Sequence, residues 1–376
     1  MIAASMLALA LVAAFGRSAA WRSARDIDTE WLKVMFCQTL PMAQVSINPR
    51  PAADADIVSA LLGFDIKNPL TIISSQIAVV AAAGEYSRVL SLEDAEPEGD
   101  ALLDLPPEEV PPPDAVPIEE ITIIPVDSAA YVSTDGVYIK NNTTYRVDAA
   151  KMINEGLNLD FKTDGPLVLI VHTHGSEAFT PTDKHWYVPS DPDRTEDVDM
   201  NIVRVGAEMA NVLNEMGVYT LHDKTLHDFP SYSGSYRNSL ETVKKYLKEY
   251  PSIKIVLDIH RDGMNTADGT KLKVCTTVED KKTAQVMIVC GTDNSGLEHP
   301  AWRENFKLAL KMQAKMNEMY PGLARPLSLV KERYNMHTTT GSLLIEIGSN
   351  GNTLEEALSG GYYTAKAIGE LIGELR

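Results

Sequence analysis

The sequence predicts an α/β domain with a central, mostly parallel sheet flanked by helices, preceded by an anchor and a flexible acidic linker. Three observations predict it. Short β-branched apolar runs recur through residues 159–376; they alternate with segments whose apolar residues return every three to four positions; and Gly, Pro or polar turns separate the two kinds.

Taken in order, residues 167–171 (LVLIV) form a continuous apolar run, as expected of a strand covered on both faces. Ile202, Val205, Met209, Val212 and Met216 mark a helix face, and Gly217 supplies its stop. Residues 218–221 read as a strand. Leu240, Val243, Leu247 and Tyr250 mark another helix, ended by Pro251. Residues 253–259, 274–278, 286–290 and 343–347 read as further strands, and 302–319 as a long helix ended by Pro321. Thr353 with Glu356 fits a capping box opening the last helix.

Upstream, the organisation changes. Residues 1–25 hold an apolar run from 2 to 15, expected to be a membrane anchor or signal-like segment, although it is shorter than the ~20 residues that span a bilayer. Arg17, Arg22 and Arg25 follow it and no basic residue precedes it. The positive-inside rule therefore opposes an extracytoplasmic catalytic domain, unless a basic region lies upstream. Residues 26–90 are expected to form a small juxtamembrane region; Asp65, Lys67, Asn68 and Pro69 break its apolar stretch and argue against a second span. Residues 91–120 read as a linker, with seven prolines favouring extended geometry and eleven acids with no Lys or Arg repelling one another. Residues 121–158 form a lead-in, with strand-like pieces at 137–139 and 145–147, before the catalytic domain at 159–376.

The net charge of −18, with no Lys/Arg cluster, excludes a nucleic-acid binder, which needs a basic face to displace counterions. Eleven of those negative charges sit in the linker, so the excess describes a spacer more than a functional surface. The cysteines Cys37, Cys275 and Cys290 include no CxxC pair. They are expected to be free, with a Cys275–Cys290 disulfide open if neighbouring strands carry them. HExxH, GxSxG, GxGxxG and Walker motifs are absent.

In open α/β sheets, ligands gather at the carboxyl ends of strands. Three expected strand ends carry unusual polar groups: His172-Thr173-His174-Gly175-Ser176-Glu177, Asp258-Ile259-His260-Arg261-Asp262 and Ile345-Glu346-Ile347. Two histidines and a carboxylate make a hydrolytic zinc site with a fourth position left for water. His174, Glu177 and His260 are the candidate ligands. Glu346, costly to bury in an apolar strand without a task, is the candidate proton shuttle. Asp258 and Asp262 are candidates for orienting imidazoles. Arg261 is the candidate for binding a substrate carboxylate or stabilising developing negative charge. His185, His222, His227, His299 and His337 read as surface or supporting groups.

The segments LIVHTHGSEAF, NIVRVGAEMANVLNEMGV, HDFPSYSGSYRNSLETVKKYLKEYPSIKIVLDIHRDG, AQVMIVCGTDN, HPAWREN and LLIEIGSNGNTLEEA resemble the stage II sporulation protein P family, within the zinc N-acetylmuramoyl-L-alanine amidase superfamily. The resemblance covers residues 159–376 and implies an amidase-like fold. It implies a membrane-anchored hydrolase with an extracytoplasmic catalytic domain, acting on peptidoglycan during sporulation engulfment. Its implied bond is the amide between N-acetylmuramic acid and L-alanine, with peptide cross-links as further targets. Sporulation proteins D and M are its implied partners. It also implies a His-Glu-His zinc site and a catalytic Glu, which carry over onto His260 and Glu346. The first histidine is His172 or His174, with His174 preferred for its following glycine. The carboxylate is Glu177 or, counting back from Asn201, Asp197, with Glu177 preferred. A non-catalytic wall-binding scaffold is the alternative of another class.

Overall fold

The computed structural model describes residues 110–376 apart from 127, 128, 191 and 192. The expected anchor and juxtamembrane region, Cys37 and the linker as far as residue 109 lie outside the described residues. Among the described residues, no helix is long and apolar enough to cross a membrane.

The strands are β1 (Val116–Ile121), β2 (Val132–Thr134), β3 (Val137–Asn141), β4 (Val168–Val171), β5 (Trp186–Tyr187), β6 (Thr220–His222), β7 (Ile255–Asp262), β8 (Lys271–Val278), β9 (Lys281–Ala284), β10 (Val286–Gly291), β11 (Leu327–Val330) and β12 (Gly341–Ser349). The helices are α1 (Ala149–Asn154), α2 (Ile202–Glu215), α3 (Ser235–Glu249), α4 (Trp302–Met319) and α5 (Leu354–Leu375). Eight strands form the main sheet in the order β2-β3-β11-β10-β12-β7-β4-β6. The β2–β3 and β10–β12 pairs are antiparallel and the other five are parallel. The mixed α/β architecture is therefore the one expected, with a mostly parallel central sheet.

The side-chain period of two assigns each residue of a central strand to one face. Ile255, Leu257 and Ile259 of β7 join Val168 and Ile170 of β4 in the main core, with apolar residues of α2, α4 and α5. The alternate residues Leu169, Val171 and Val256 face the other way and pack against Val243 of α3. All eight residues of β7 are buried, which explains its unbroken apolar character up to Leu257. The helix starts carry the expected chemistry. The Asn201 side chain accepts from the Val203 N–H at 2.9 Å, and Thr353 and Glu356 complete a capping box at α5. α3 instead starts behind Gly234, whose φ of 94° suits glycine.

Several expectations are corrected. A second, four-stranded sheet in the order β5-β1-β8-β9 was not foreseen. β1 begins at Val116, inside the segment assigned to the linker, because its backbone pairs in parallel with β8 despite Pro117, Glu119 and Glu120. The lead-in is integral to the domain, since β3 extends the main sheet alongside β11. Residues 145–147 form no strand; Tyr145 stacks on Trp302 at 5.1 Å, and its hydroxyl donates to Asp293 Oδ1 at 2.7 Å. Cys275 and Cys290 are free and buried, one in β8 and the other in β10, which belong to different sheets.

Candidate metal centre

β7 and β12 are parallel neighbours, and His260 is the register partner of Glu346. Asp258 and His260 lie two apart on β7, on the face that carries α3. The chain leaving β4 turns through residues 172–177 and places His174 and Glu177 over the same strand ends. His174, Glu177 and His260 are all buried, and each offers a ligand atom within 4.8 Å of the others. His174 Nδ1 lies 3.5 Å from Glu177 Oε1, and His260 Nδ1 lies 3.6 Å from Glu177 Oε2. The Arg261 backbone N–H donates to Glu177 Oε2 at 3.1 Å and holds that carboxylate at the end of β7.

The electrostatics follow from burial and pairing. Burial alone would raise the Glu177 carboxyl, but the His174 and His260 rings hold it well below the usual carboxylate range. Burial alone would lower His260, yet the Asp258 and Glu177 carboxylates raise it well above the ordinary imidazole value. Asp258 Oδ1 sits 2.9 Å from His260 Nε2, off the direction of a straight hydrogen bond. Asp258 also accepts from the Thr173 N–H at 2.8 Å and the Thr173 hydroxyl at 2.6 Å. Glu346 behaves oppositely: burial, with the negative charge of Asp262 nearby, pushes its carboxyl up to about 8. Its Oε2 is buried with no hydrogen-bond partner.

The geometry separates the sequence alternatives. His172 continues the alternation of β4 onto the α2 face, away from His260. Its Nδ1 meets the Ile259 carbonyl at 2.9 Å and its Nε2 meets His222 Nε2 at 2.9 Å, so both ring nitrogens are engaged. Gly206 of α2 leaves room for that ring; a Cβ there would lie 2.4 Å from His172 Nε2. Asp197 is exposed, and its Oδ1 accepts the Asp199 N–H at 3.0 Å in a local turn.

Two assigned roles are corrected. Arg261 is buried and points away from the crevice, because it alternates with His260 along β7. Its guanidinium donates to the carbonyls of Ala178 at 2.7 Å, Asp193 at 2.7 Å and Asp262 at 3.2 Å. Asp262 orients no imidazole; its Oδ2 accepts from Arg325 at 3.0 Å. Of the histidines read as surface or supporting groups, His227 and His299 are buried.

The family model of stage II sporulation protein P matches residues 67–369, most of the chain. The chain belongs to the stage II sporulation protein P family. The stage II sporulation protein P of Bacillus subtilis (strain 168) is 30% identical over 206 residues, which cover 51% of this chain and 48% of that protein. The match thus spans about half the length of that curated relative. Among solved structures, an N-acetylmuramoyl-L-alanine amidase of Nostoc punctiforme matches 56% of this chain and 96% of its own, at 14% identity and a TM-score of 0.33. The CwlD amidase of Clostridioides difficile, solved in complex with the GerS lipoprotein, matches 56% and 98% at 12% identity and a TM-score of 0.35.

Within this family member, an aromatic wall escaped the sequence reading. Tyr232 stacks on the His174 ring at 4.5 Å, and Tyr236 meets it edge-on at 5.4 Å. Tyr334 leans on Tyr236 at 5.2 Å. The four-residue spacing of Tyr232 and Tyr236 was a visible signal, but nothing local ties them to a histidine about sixty residues earlier. Asp228 was also missed; it accepts from the Ser176 hydroxyl at 2.6 Å and from Arg194 at 2.6 Å.

Proposed function

We propose that this chain is a zinc-dependent peptidoglycan hydrolase that cleaves the amide between N-acetylmuramic acid and L-alanine. The observation that carries the reading is the buried His174–Glu177–His260 cluster with Glu346, whose Oε2 has no hydrogen-bond partner, beside it. Membership in a sporulation family supports the cell wall as the substrate.

The donor set fits zinc. Two imidazoles and one carboxylate converge, and Asp258 stands behind one imidazole to orient it. His174, Glu177 and His260 would hold the zinc, which would supply Lewis acidity toward a carbonyl and a more acidic water. Glu346, register partner of His260, stands where it would take a proton from the attacking water and return it to the leaving nitrogen. The Thr173–Asp258 hydrogen bonds fix Asp258 behind His260, and Glu177 lies near both imidazoles, whose rings meet edge-on at 5.0 Å. The family resemblance further supports a membrane-anchored chain with an extracytoplasmic catalytic domain, working in engulfment with sporulation proteins D and M.

The test is metal content joined to product analysis. The purified chain is expected to hold one zinc, and digested sacculi are expected to release stem peptides with free L-alanine amino ends. Mass spectrometry that finds only cut cross-links would make it an endopeptidase. A chain with no stoichiometric zinc and no activity after zinc addition would be a wall-binding scaffold.

A further inference from the structure

We propose that Arg194 is the substrate-positioning cation of this site and takes a free carboxylate that the stem peptide carries within two residues of the scissile amide. The proposal rests on the peptidoglycan reading above.

Three arginines stand near the cluster, and their surroundings differ. Arg261 gives its guanidinium to backbone carbonyls. Arg325 is buried against Asp262. Arg194 keeps 41% of its side chain exposed. Its backbone is the antiparallel bridge partner of Glu177, a candidate metal ligand. The flanking bonds, Ala178 N–H to the Asp193 carbonyl at 2.9 Å and Thr195 N–H to the Ser176 carbonyl at 2.8 Å, zip the two segments together. The loop that carries Arg194 is therefore tied to the segment that builds the metal cluster.

The guanidinium is held on one edge and on one face. Nη1 donates to Asp228 Oδ2 at 2.6 Å and to the Ser176 hydroxyl at 3.1 Å. The cation lies over the Tyr232 ring, 4.6 Å from its centroid. Nη2 pairs ionically with Glu177 Oε1 at 3.9 Å, longer than a hydrogen bond, so its N–H groups face the cluster without a close acceptor there. A planar fork fixed in this way suits a carboxylate, and little ordering entropy is lost when one binds. Two residues of extended chain reach roughly 7 Å. An arginine this close to the ligand set thus meets a group on the first or second residue past the scissile bond. Salt-bridging to the fully covered Asp228 side chain orients Arg194, while 41% of its side chain stays exposed.

The competing reading is that Arg194 only neutralises Asp228 and Glu177. Calorimetry on the full chain, zinc-loaded and carrying Glu346→Gln to stop turnover, separates the two. The probes are muramyl tripeptides that differ only in whether the second residue bears a free α-carboxylate or a carboxamide. The acid is expected to bind roughly ten-fold tighter, a difference of about 1.4 kcal/mol. Arg194→Gln is expected to abolish the preference, and Arg194→Lys to keep part of it. Equal binding of the two probes, or a preference that survives in Arg194→Gln, overturns the proposal and leaves the hydrolase reading standing. Failure of both probes to bind overturns the peptidoglycan reading and this proposal with it. Should Arg194→Gln not fold, Arg194→Lys decides: an undiminished preference for the acid counts against Arg194, a reduced one supports it.

Discussion

Glu346 and His260 are register partners on the parallel strands β12 and β7. Their side chains leave the same face of the sheet from backbones about 4.8 Å apart. The sheet therefore sets the Glu346 carboxyl next to a candidate metal ligand without help from any loop.

Removing the carboxylate charge at that position should separate metal binding from chemistry. Glu346→Gln is expected to retain zinc and fold normally while stem-peptide release falls roughly 100- to 10,000-fold. Metal analysis and a sacculus digestion assay check both halves. A zinc-loaded variant with the parent rate would sink the assigned role.

The two histidines of the HTH segment should part company. His174→Ala is expected to lose zinc with modest change in stability, since that ring lines the crevice. His172→Ala is expected to retain the ligand set but destabilise the fold by about 1–3 kcal/mol, because it leaves the Ile259 carbonyl and His222 without a partner. Zinc titration and urea unfolding of the two variants read this directly. Zinc loss in His172→Ala with stability intact would reverse the assignment.

Asp258 stands behind His260, so its effect should be graded. Asp258→Asn is expected to weaken zinc binding roughly 10- to 100-fold. Competition against a chelator of known affinity gives the number. An unchanged affinity would show that Glu177 suffices to hold His260.

His299 provides a handle on pH. It is buried, neither ring nitrogen has a hydrogen-bond partner, and burial with the nearby His337 and Arg333 lowers it to about 4. Between about 4 and the ordinary value of 6.5 the unfolded chain takes up a proton there and the folded chain does not. Folding stability contributed by His299 is therefore present above pH 6.5 and lost as pH falls toward 4. His172 and His222, lowered by burial to about 3 and about 4, act in the same direction. The His299→Gln variant should lose less stability than the parent over that window, measured by thermal unfolding at stepped pH. Parallel profiles would refute the assignment.

The strands that surround the site were legible because burial on both faces leaves a plain mark. Residues 167–171, 253–259, 286–290 and 343–347 are apolar runs, and β4, β7, β10 and β12 contain most of each. The strands missed were those whose stability comes from distant pairing. β1 carries Glu119 and Glu120 and has one buried residue, Ile118, so only its ladder to β8 defines it. Among the site residues, His174, Glu177, His260 and Glu346 were visible as polar interruptions at strand ends. Arg194 was not, because its tie to Glu177 is a backbone bridge between two irregular segments.

The sequence by itself determined the periodicities: which segments are strands of a covered sheet, which are helices, and which strand ends carry ionisable groups. Tertiary structure decided which face each of those groups occupies. His172 and His174 differ by two positions, yet one lies under α2 against Gly206 and the other joins His260, because the chain leaves the strand and turns between them. Arg261 and His260 differ by one position, and the pleat sends them to opposite sides of the sheet. Arg261 thus became a clamp on backbone carbonyls. The physical reason is that local sequence sets spacing along the chain, whereas strand register and chain turns set direction in space.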